Sequence, residues 1–161
     1  MTESNWISDE LLGNLITEAR RAPRRRRNYN FHSNDSAPCQ RLLNAAEPDS
    51  YIAPHRHLDP AKDETLLLLR GRLGVILFDE AGDVTDHAVL DATGSRFGVT
   101  IAVGTFHTLV SLATGSVFFE AKAGPYLPLG VEERARWAPA EGDPAAAAYL
   151  DSLRHERRTP E

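Results

Sequence analysis

Between Gln40 and Tyr126 the chain divides into eight short strand-like runs, and the breaks between them carry residues that favour turns. The runs are "QRLLNAA", "SYIAPHRH", "TLLLLRG", "LGVILFD", "HAVLD", "FGVTIAV", "HTLVSLA" and "SVFFEAK". Between them stand Pro48-Asp49, Asp59-Pro60, Gly71, Ala81-Gly82-Asp83, Thr93-Gly94, Gly104 and Thr114-Gly115. Strands at such spacing, punctuated by turns, predict an all-β sandwich or barrel.

The flanks read differently. Leu11, Leu12, Leu15, Ile16 and Ala19 recur at helical spacing behind a capping Ser8, and Pro23 stops the pattern, which predicts a helix on the outside of the β core. From Arg24 to Cys39 the text "RRRRNYNFHSNDSAPC" is polar and irregular, the pattern of an extended arm or loop with no core of its own. Past the core, a loose "WAPAEGD" linker and the Ala145 to Ala148 run lead into "YLDSLRHERR", a short peripheral helix. The expected organisation is a helix and Arg-rich arm over 1–39, the β core over 40–126, and a linker with a helix over 127–161.

A chain of 161 residues with 42% apolar content fits one domain with a proper core. Its 18 Lys and Arg against 23 Asp and Glu give a formal charge of -5, which argues against nucleic acid as a partner. The arginines crowded between Arg20 and Arg27 read as a solvated or salt-bridging surface. One cysteine, Cys39, excludes an intramolecular disulfide, fits a reducing compartment and reads as a small buried hydrophobe. Acidic residues near the start, where a signal peptide needs a basic one, and the lack of an apolar stretch of roughly 20 residues predict a soluble cytoplasmic protein with no membrane association.

The chemistry concentrates in "APHRHLDPAKDETLLLLRG". If "SYIAPHRH" is extended, His55 and His57 project from one face, together with Tyr51 and Ala53. In a barrel that face is the interior. Glu64 opens the next run, where a turn returns its carboxylate beside the histidines, although Asp59 and Asp63 are also within reach. His107 follows the Gly104 turn. Three imidazoles and a carboxylate suit one divalent transition metal, Fe, Mn, Ni, Cu or Zn, and suit Ca or Mg poorly.

These residues resemble the cupin superfamily. Its first motif corresponds to His55, His57, Glu64 and Gly71, and its second to Ala102, Gly104 and His107. The turn before Glu64 is longer than most cupins carry, Asp49 stands where the motif has glycine, and Ala102 stands where it has proline. More narrowly, "RNYNFH", "QRLLNA", "PHRH", "LRGRLGV" and "GPY" resemble the WbuC family of cupin-fold metalloproteins. The resemblance implies a double-stranded β-helix barrel and a metal held by His55, His57, Glu64 and His107. It also implies a homodimer and an association with surface-polysaccharide biosynthesis.

By strand parity Leu66, Leu68 and Arg70 share the face of Glu64, and Leu109 and Ser111 that of His107. Glu120 and Lys122 share a face in "SVFFEAK", which makes them candidates for a proton donor or an anion contact. Tyr51 and His32 complete the set of candidate catalytic residues with Glu120. The leading expectation is a metal-dependent enzyme acting on a small polar molecule such as a sugar or sugar nucleotide. An Fe(II)-dependent dioxygenase, a non-catalytic small-ligand binding protein and an assembly protein with a structural metal are the alternatives.

Overall fold

The computed structural model describes residues 5–155. Helix α1 (Asp9–Arg21) begins where Ser8 Oγ accepts the Leu11 amide at 3.3 Å, with Asp9 and Glu10 in its first turn and Arg20 and Arg21 in its last. That charge order complements the helix dipole at both ends. The expected arm does not stay irregular: Arg26–Asn30 forms strand β1, paired antiparallel with β2 (Cys39–Ala46). Tyr29 and Phe31 pack against the α1 cluster, which gives this polar stretch the apolar anchor that its composition hides. Cys39, expected to be buried, is exposed at the start of β2.

Strands β3 (Glu64–Arg70), β4 (Arg72–Phe78), β5 (Val84–Asp91), β6 (Gly98–Ile101), β7 (Phe106–Ser111) and β8 (Ser116–Ala123) complete two antiparallel sheets. One has the order β1-β2-β8-β3-β6, the other β5-β4-β7. Their facing sides enclose Leu66, Leu68, Leu73, Val75, Leu90, Ile101, Leu109 and Phe118. On the outside of the larger sheet, α1 sets Leu12, Leu15, Ile16 and Ala19 against Leu43, Ala45 and Val117. On the outside of the smaller sheet, Leu150 and Leu153 of α2 (Ala146–His155) pack with Ile76, Phe78, Phe106 and Val110. Every residue of β7 is buried because both of its faces are covered. The structure is therefore the expected all-β core with one helix at each end. The last part of the expected C-terminal helix, from Glu156 on, lies outside the described residues.

One expected strand is absent. Residues 50–57 cross the interior as irregular chain, and only His55 makes a strand-like bridge, to His107 on one side and Arg134 on the other. Pro54 lies within this stretch and Pro48 and Pro60 flank it, and proline supplies no N–H to a ladder.

The corner between β3 and β4 turns on Gly71, whose φ is +82°. A Cβ there would stand 2.5 Å from Ser116 Oγ and 2.8 Å from Ser116 Cα. Ser116 Oγ meanwhile donates to the Arg72 carbonyl at 3.0 Å and accepts the Arg72 amide at 3.3 Å, so it is not free to move aside. The strain of a left-handed alanine, about 1–2 kcal/mol, adds to the cost of overpacking. Gly71→Ala should lower unfolding stability by about 3 kcal/mol, read as a shift in the urea midpoint at constant slope.

Candidate metal site

Three backbone hydrogen bonds knit the His-x-His stretch to the segment that carries the third histidine, and a fourth ties it to Glu133. His55 N donates to His107 O at 3.0 Å, His107 N donates back to His55 O at 2.8 Å, Gly104 N donates to His57 O at 2.8 Å, and Arg56 N donates to Glu133 O at 2.9 Å. The first pair is reciprocal, so one histidine backbone cannot slide without the other. Glu64 comes from the opposite sheet, where its cross-strand partner is Lys122.

The side chains converge. Ligand atoms of His55, His57 and Glu64 all lie within 4.8 Å of one another. His57 Nε2 is 3.2 Å from Glu64 Oε1, and His107 Nε2 is 3.0 Å from Glu64 Oε2. The rings of His55 and His107 have centroids 4.6 Å apart. Glu64 is only 5% exposed, whereas Asp59 and Asp63, the other carboxylates in reach by sequence, are exposed. Asp59 instead accepts the amide of Ala61 at 3.0 Å and shapes the long turn before β3.

Two features of this cluster fit a cation. His55 Nδ1 lies 3.0 Å from the Ala53 carbonyl and His107 Nδ1 lies 2.9 Å from the Thr105 carbonyl. A ring nitrogen beside a carbonyl carries the proton, which leaves each Nε2 of the neutral ring as a lone pair. For His107 that lone pair faces a carboxylate oxygen, an arrangement that calls for a proton or a metal ion between them. His57 Nε2 is buried and has no hydrogen-bond partner, as a ligating nitrogen would be without its metal. Ligand atoms bonded at about 2.1 Å and about 90° apart lie about 3 Å from each other, close to the two separations at Glu64.

The electrostatics follow from burial. Burial and the neighbouring His107 push His55 down to about 3, so its ring is neutral near pH 7. Burial alone would raise the Glu64 carboxyl, but the adjoining imidazoles of His107 and His57 and the Lys122 ammonium hold it well below the usual carboxylate range. Lys122 Nζ donates to Glu64 Oε1 at 2.5 Å and lies 2.7 Å from Glu120 Oε1. Burial would depress this ammonium, yet the two carboxylates outweigh it and raise its pKa. Glu120 shifts upward because of its burial, against the pull of Lys122. Asn44 Nδ2 donates to Glu120 Oε2 at 2.8 Å and fixes the carboxylate in place.

These groups line a cavity of about 170 Å³ between the sheets. His55, Glu64, His107, Glu120 and Lys122 form its polar side, and Ile52, Leu109 and Phe118 its apolar side. Of the candidate catalytic residues, Glu120 lies in this cavity. Tyr51 does not line it: its hydroxyl donates to the Pro139 carbonyl at 2.7 Å and its ring meets Tyr149 near α2. His32 is buried elsewhere, its Nδ1 lying 3.1 Å from both the amide and the carbonyl of Arg41. Arg70, expected on the face of Glu64, follows a register shift after Leu68 and pairs outward with Asp9 at 2.6 Å. Sequence reasoning missed Asn44 and Arg26, which also line the cavity. Parity would have found Asn44, two residues from Leu42 on the inner side of "QRLLNAA". Arg26 was hidden inside the arginine run.

Two facing antiparallel sheets, with a three-histidine and one-glutamate cluster between them, define a protein of the cupin fold. Similar solved structures share that fold. KdgF from Halomonas sp. aligns with a TM-score of 0.50 at 14% identity, over 66% of this chain and 84% of that one. The conserved SPY1581 protein of unknown function from Streptococcus pyogenes aligns at 0.52 and 7% identity, over 79% and 93%. The capsular polysaccharide assembling protein CapF from Staphylococcus aureus aligns at 0.50 and 17% identity, over 63% of this chain but only 26% of that one. By sequence, residues 7–90 match the family described as a domain of unknown function, DUF6016, and the chain belongs to that family. No curated protein matches it in sequence.

His55 has a sharp pH signature in metal-free protein. Its folded pKa, about 3, lies below the unfolded value, so the unfolded chain takes up a proton that the folded chain refuses as pH falls below about 6.5. The stability it supports is complete above that pH and is lost on acidification. The stability difference between wild type and His55→Asn should therefore shrink by about 1.4 kcal/mol per pH unit between about pH 6 and pH 4.5, measured by urea unfolding. A difference independent of pH would show that His55 is charged in the fold.

Proposed function

We propose that this protein is a metal-binding cupin that acts as a metal-dependent enzyme on a small polar molecule. The observation that carries the reading is the cluster of His55, His57 and Glu64, with His107 on the Glu64 carboxylate, beside a cavity that also holds Glu120 and Lys122. The four are the proposed ligands, and the nitrogen and oxygen donor set suits Fe, Mn, Ni, Cu or Zn. Such an ion would supply Lewis acidity or a bound water of lowered pKa.

The chain's own residues then divide the remaining work. Lys122 holds Glu64 and, through Glu120, fixes a second carboxylate at the edge of the cavity. Glu120, raised by burial, is suited to hold or pass a proton at Oε1. Leu109, Phe118 and Ile52 keep bulk water from the apolar side, which strengthens each charge interaction on the other. A cavity of about 170 Å³ is close to the one of about 150 Å³ that holds benzene, so it admits a single ring or a short chain. A sugar fits; of a sugar nucleotide, only the sugar does.

The finer assignment to the WbuC family, with its homodimer and its role in surface-polysaccharide metabolism, rests on the sequence resemblance. The likeness to CapF is one of fold. Among the described residues no helix is long and apolar enough to cross a membrane.

Metal content of untagged protein purified without chelators tests the reading. Near-stoichiometric transition metal is expected in the wild type, with affinity reduced by about 100-fold or more in a His55→Ala, His57→Ala double variant. Loaded protein should then convert a member of a panel of small polar substrates, and His107→Ala should abolish that conversion. Thermal stabilisation by a ligand without conversion would make the protein a binding module instead. Oxygen uptake in the Fe(II) form would select the dioxygenase.

A further inference from the structure

Within the arginine run, one residue differs from its neighbours. The side chains of Arg20, Arg24, Arg25 and Arg27 are 52%, 63%, 37% and 59% exposed where they form their ion pairs, whereas that of Arg26 is 18% exposed. Strand pairing explains this: Arg26, Asn28 and Asn30 stand opposite Ala46, Asn44 and Leu42, and the last two lie in register with Phe118 and Glu120 on the side of β8 that faces the cavity. Arg26 lines the metal cavity and also borders a separate surface groove of about 550 Å³, shared with Arg24, Asp49, Tyr51, Glu141 and Arg154. It stands between the two.

Its charge is only partly compensated. One guanidinium nitrogen donates to the Tyr51 carbonyl at 2.8 Å and lies 3.4 Å from Ser50 Oγ, and the other donates to Glu141. Glu141 is shared, because Arg24 pairs with its other oxygen at 2.7 Å. One carboxylate thus serves two guanidiniums. Inside the cavity Glu64 offsets Lys122 and Glu120 adds one negative charge when ionised, so a divalent ion leaves the sum positive whether or not Glu120 carries a proton. Both ends of the cavity then call for an anion, since uncompensated buried charge is costly.

We propose that Arg26 is the anion-binding, specificity-determining residue of this site, and that the ligand is a short dianion with one carboxylate turned to the histidines and the other on Arg26. The inference rests on the metal reading above. The cavity volume limits the ligand to a single ring or a short chain, and a four-carbon diacid is within that limit. Glu141 occupies Arg26 when no ligand is bound and gives way when the second carboxylate arrives, with Arg24 as its remaining partner. The planar fork of arginine suits a carboxylate better than a lysine ammonium would.

Calorimetric titration of Mn(II)-loaded protein with succinate and with butyrate, which differ by one carboxylate, tests this. Succinate should bind at least about 10-fold more tightly than butyrate in the wild type, the size of one charge-assisted hydrogen bond. Arg26→Gln should bring the ratio close to one with metal content unchanged, and Arg26→Lys should fall between. Glu141→Gln, which frees Arg26 without touching the cavity, should tighten succinate by about 3-fold or more and leave butyrate alone. If a folded Arg26→Gln kept the wild-type ratio, the role of Arg26 would be wrong. If that variant failed to fold, an unchanged succinate affinity in Glu141→Gln would overturn the proposal by itself. Metal uptake with equal affinity for the two acids removes the dianion site and leaves the metal centre standing; no metal uptake at all removes both.

Discussion

A carboxylate inside a β protein has to be surrounded by donors, and much of this site is organised around that requirement at Glu64. It is nearly inaccessible, yet it is held ionised by His57, His107 and Lys122. These partners come from both sheets: Lys122 lies beside it on β8, while the histidines reach it from the β7 side. Removing one partner would leave a buried charge in a medium of low polarity, where such defects are expensive. The two halves of the fold are consequently tied through a polar contact in the middle of an otherwise apolar core. A divalent ion at the same point would replace shared protons by direct bonds without a new arrangement of the chain.

The irregular segment 50–57 carries this burden best as it is. A full strand would have repeated its ladder along β7 and fixed only alternate side chains. Instead a reciprocal pair at His55, the Arg56 amide on the Glu133 carbonyl and a bond at His57 hold the backbone where both imidazoles come close to Glu64. The prolines keep it from pairing further. The long turn before Glu64, unusual beside the general pattern of the fold, closes on its own aspartate at Asp59, so its extra length is absorbed outside the cluster.

How much of this could be read from the sequence depends on which force dominates at each residue. The strands of the two sheets were legible where turn glycines bounded them, and both helices were legible from their apolar spacing. The convergence of His55, His57, Glu64 and His107 was legible too, because motif spacing reflects backbone geometry. Strand β1 was not: "RRNYN" carries an arginine on each face, and only its pairing with β2 and the cover of α1 make it a strand. Residues 50–57 failed in the opposite sense, looking like a strand by composition while their backbone bonds went to isolated partners. Tyr51 looked like an inward hydroxyl on that false parity, and with the strand gone it turns to Pro139. Cys39 looked buried by residue type, although its place at the tip of β2 exposes it.

The same false and true parities account for Arg26. Composition alone assigns six clustered arginines to solvent, and for those flanking Arg26 the ion pairs with Glu18, Glu47, Asp49 and Glu141 agree. Once Arg26–Asn30 is a strand, however, Arg26 stands on the side opposite Tyr29 and meets the cavity, while Asn28 and Asn30 on that same side stay exposed. A guanidinium there is costly unless the cavity has use for it, and desolvation does lower its pKa against the opposing pull of Glu141. The position of a charge that a simple core would exclude is therefore better explained by what enters the cavity than by what holds the sheets together.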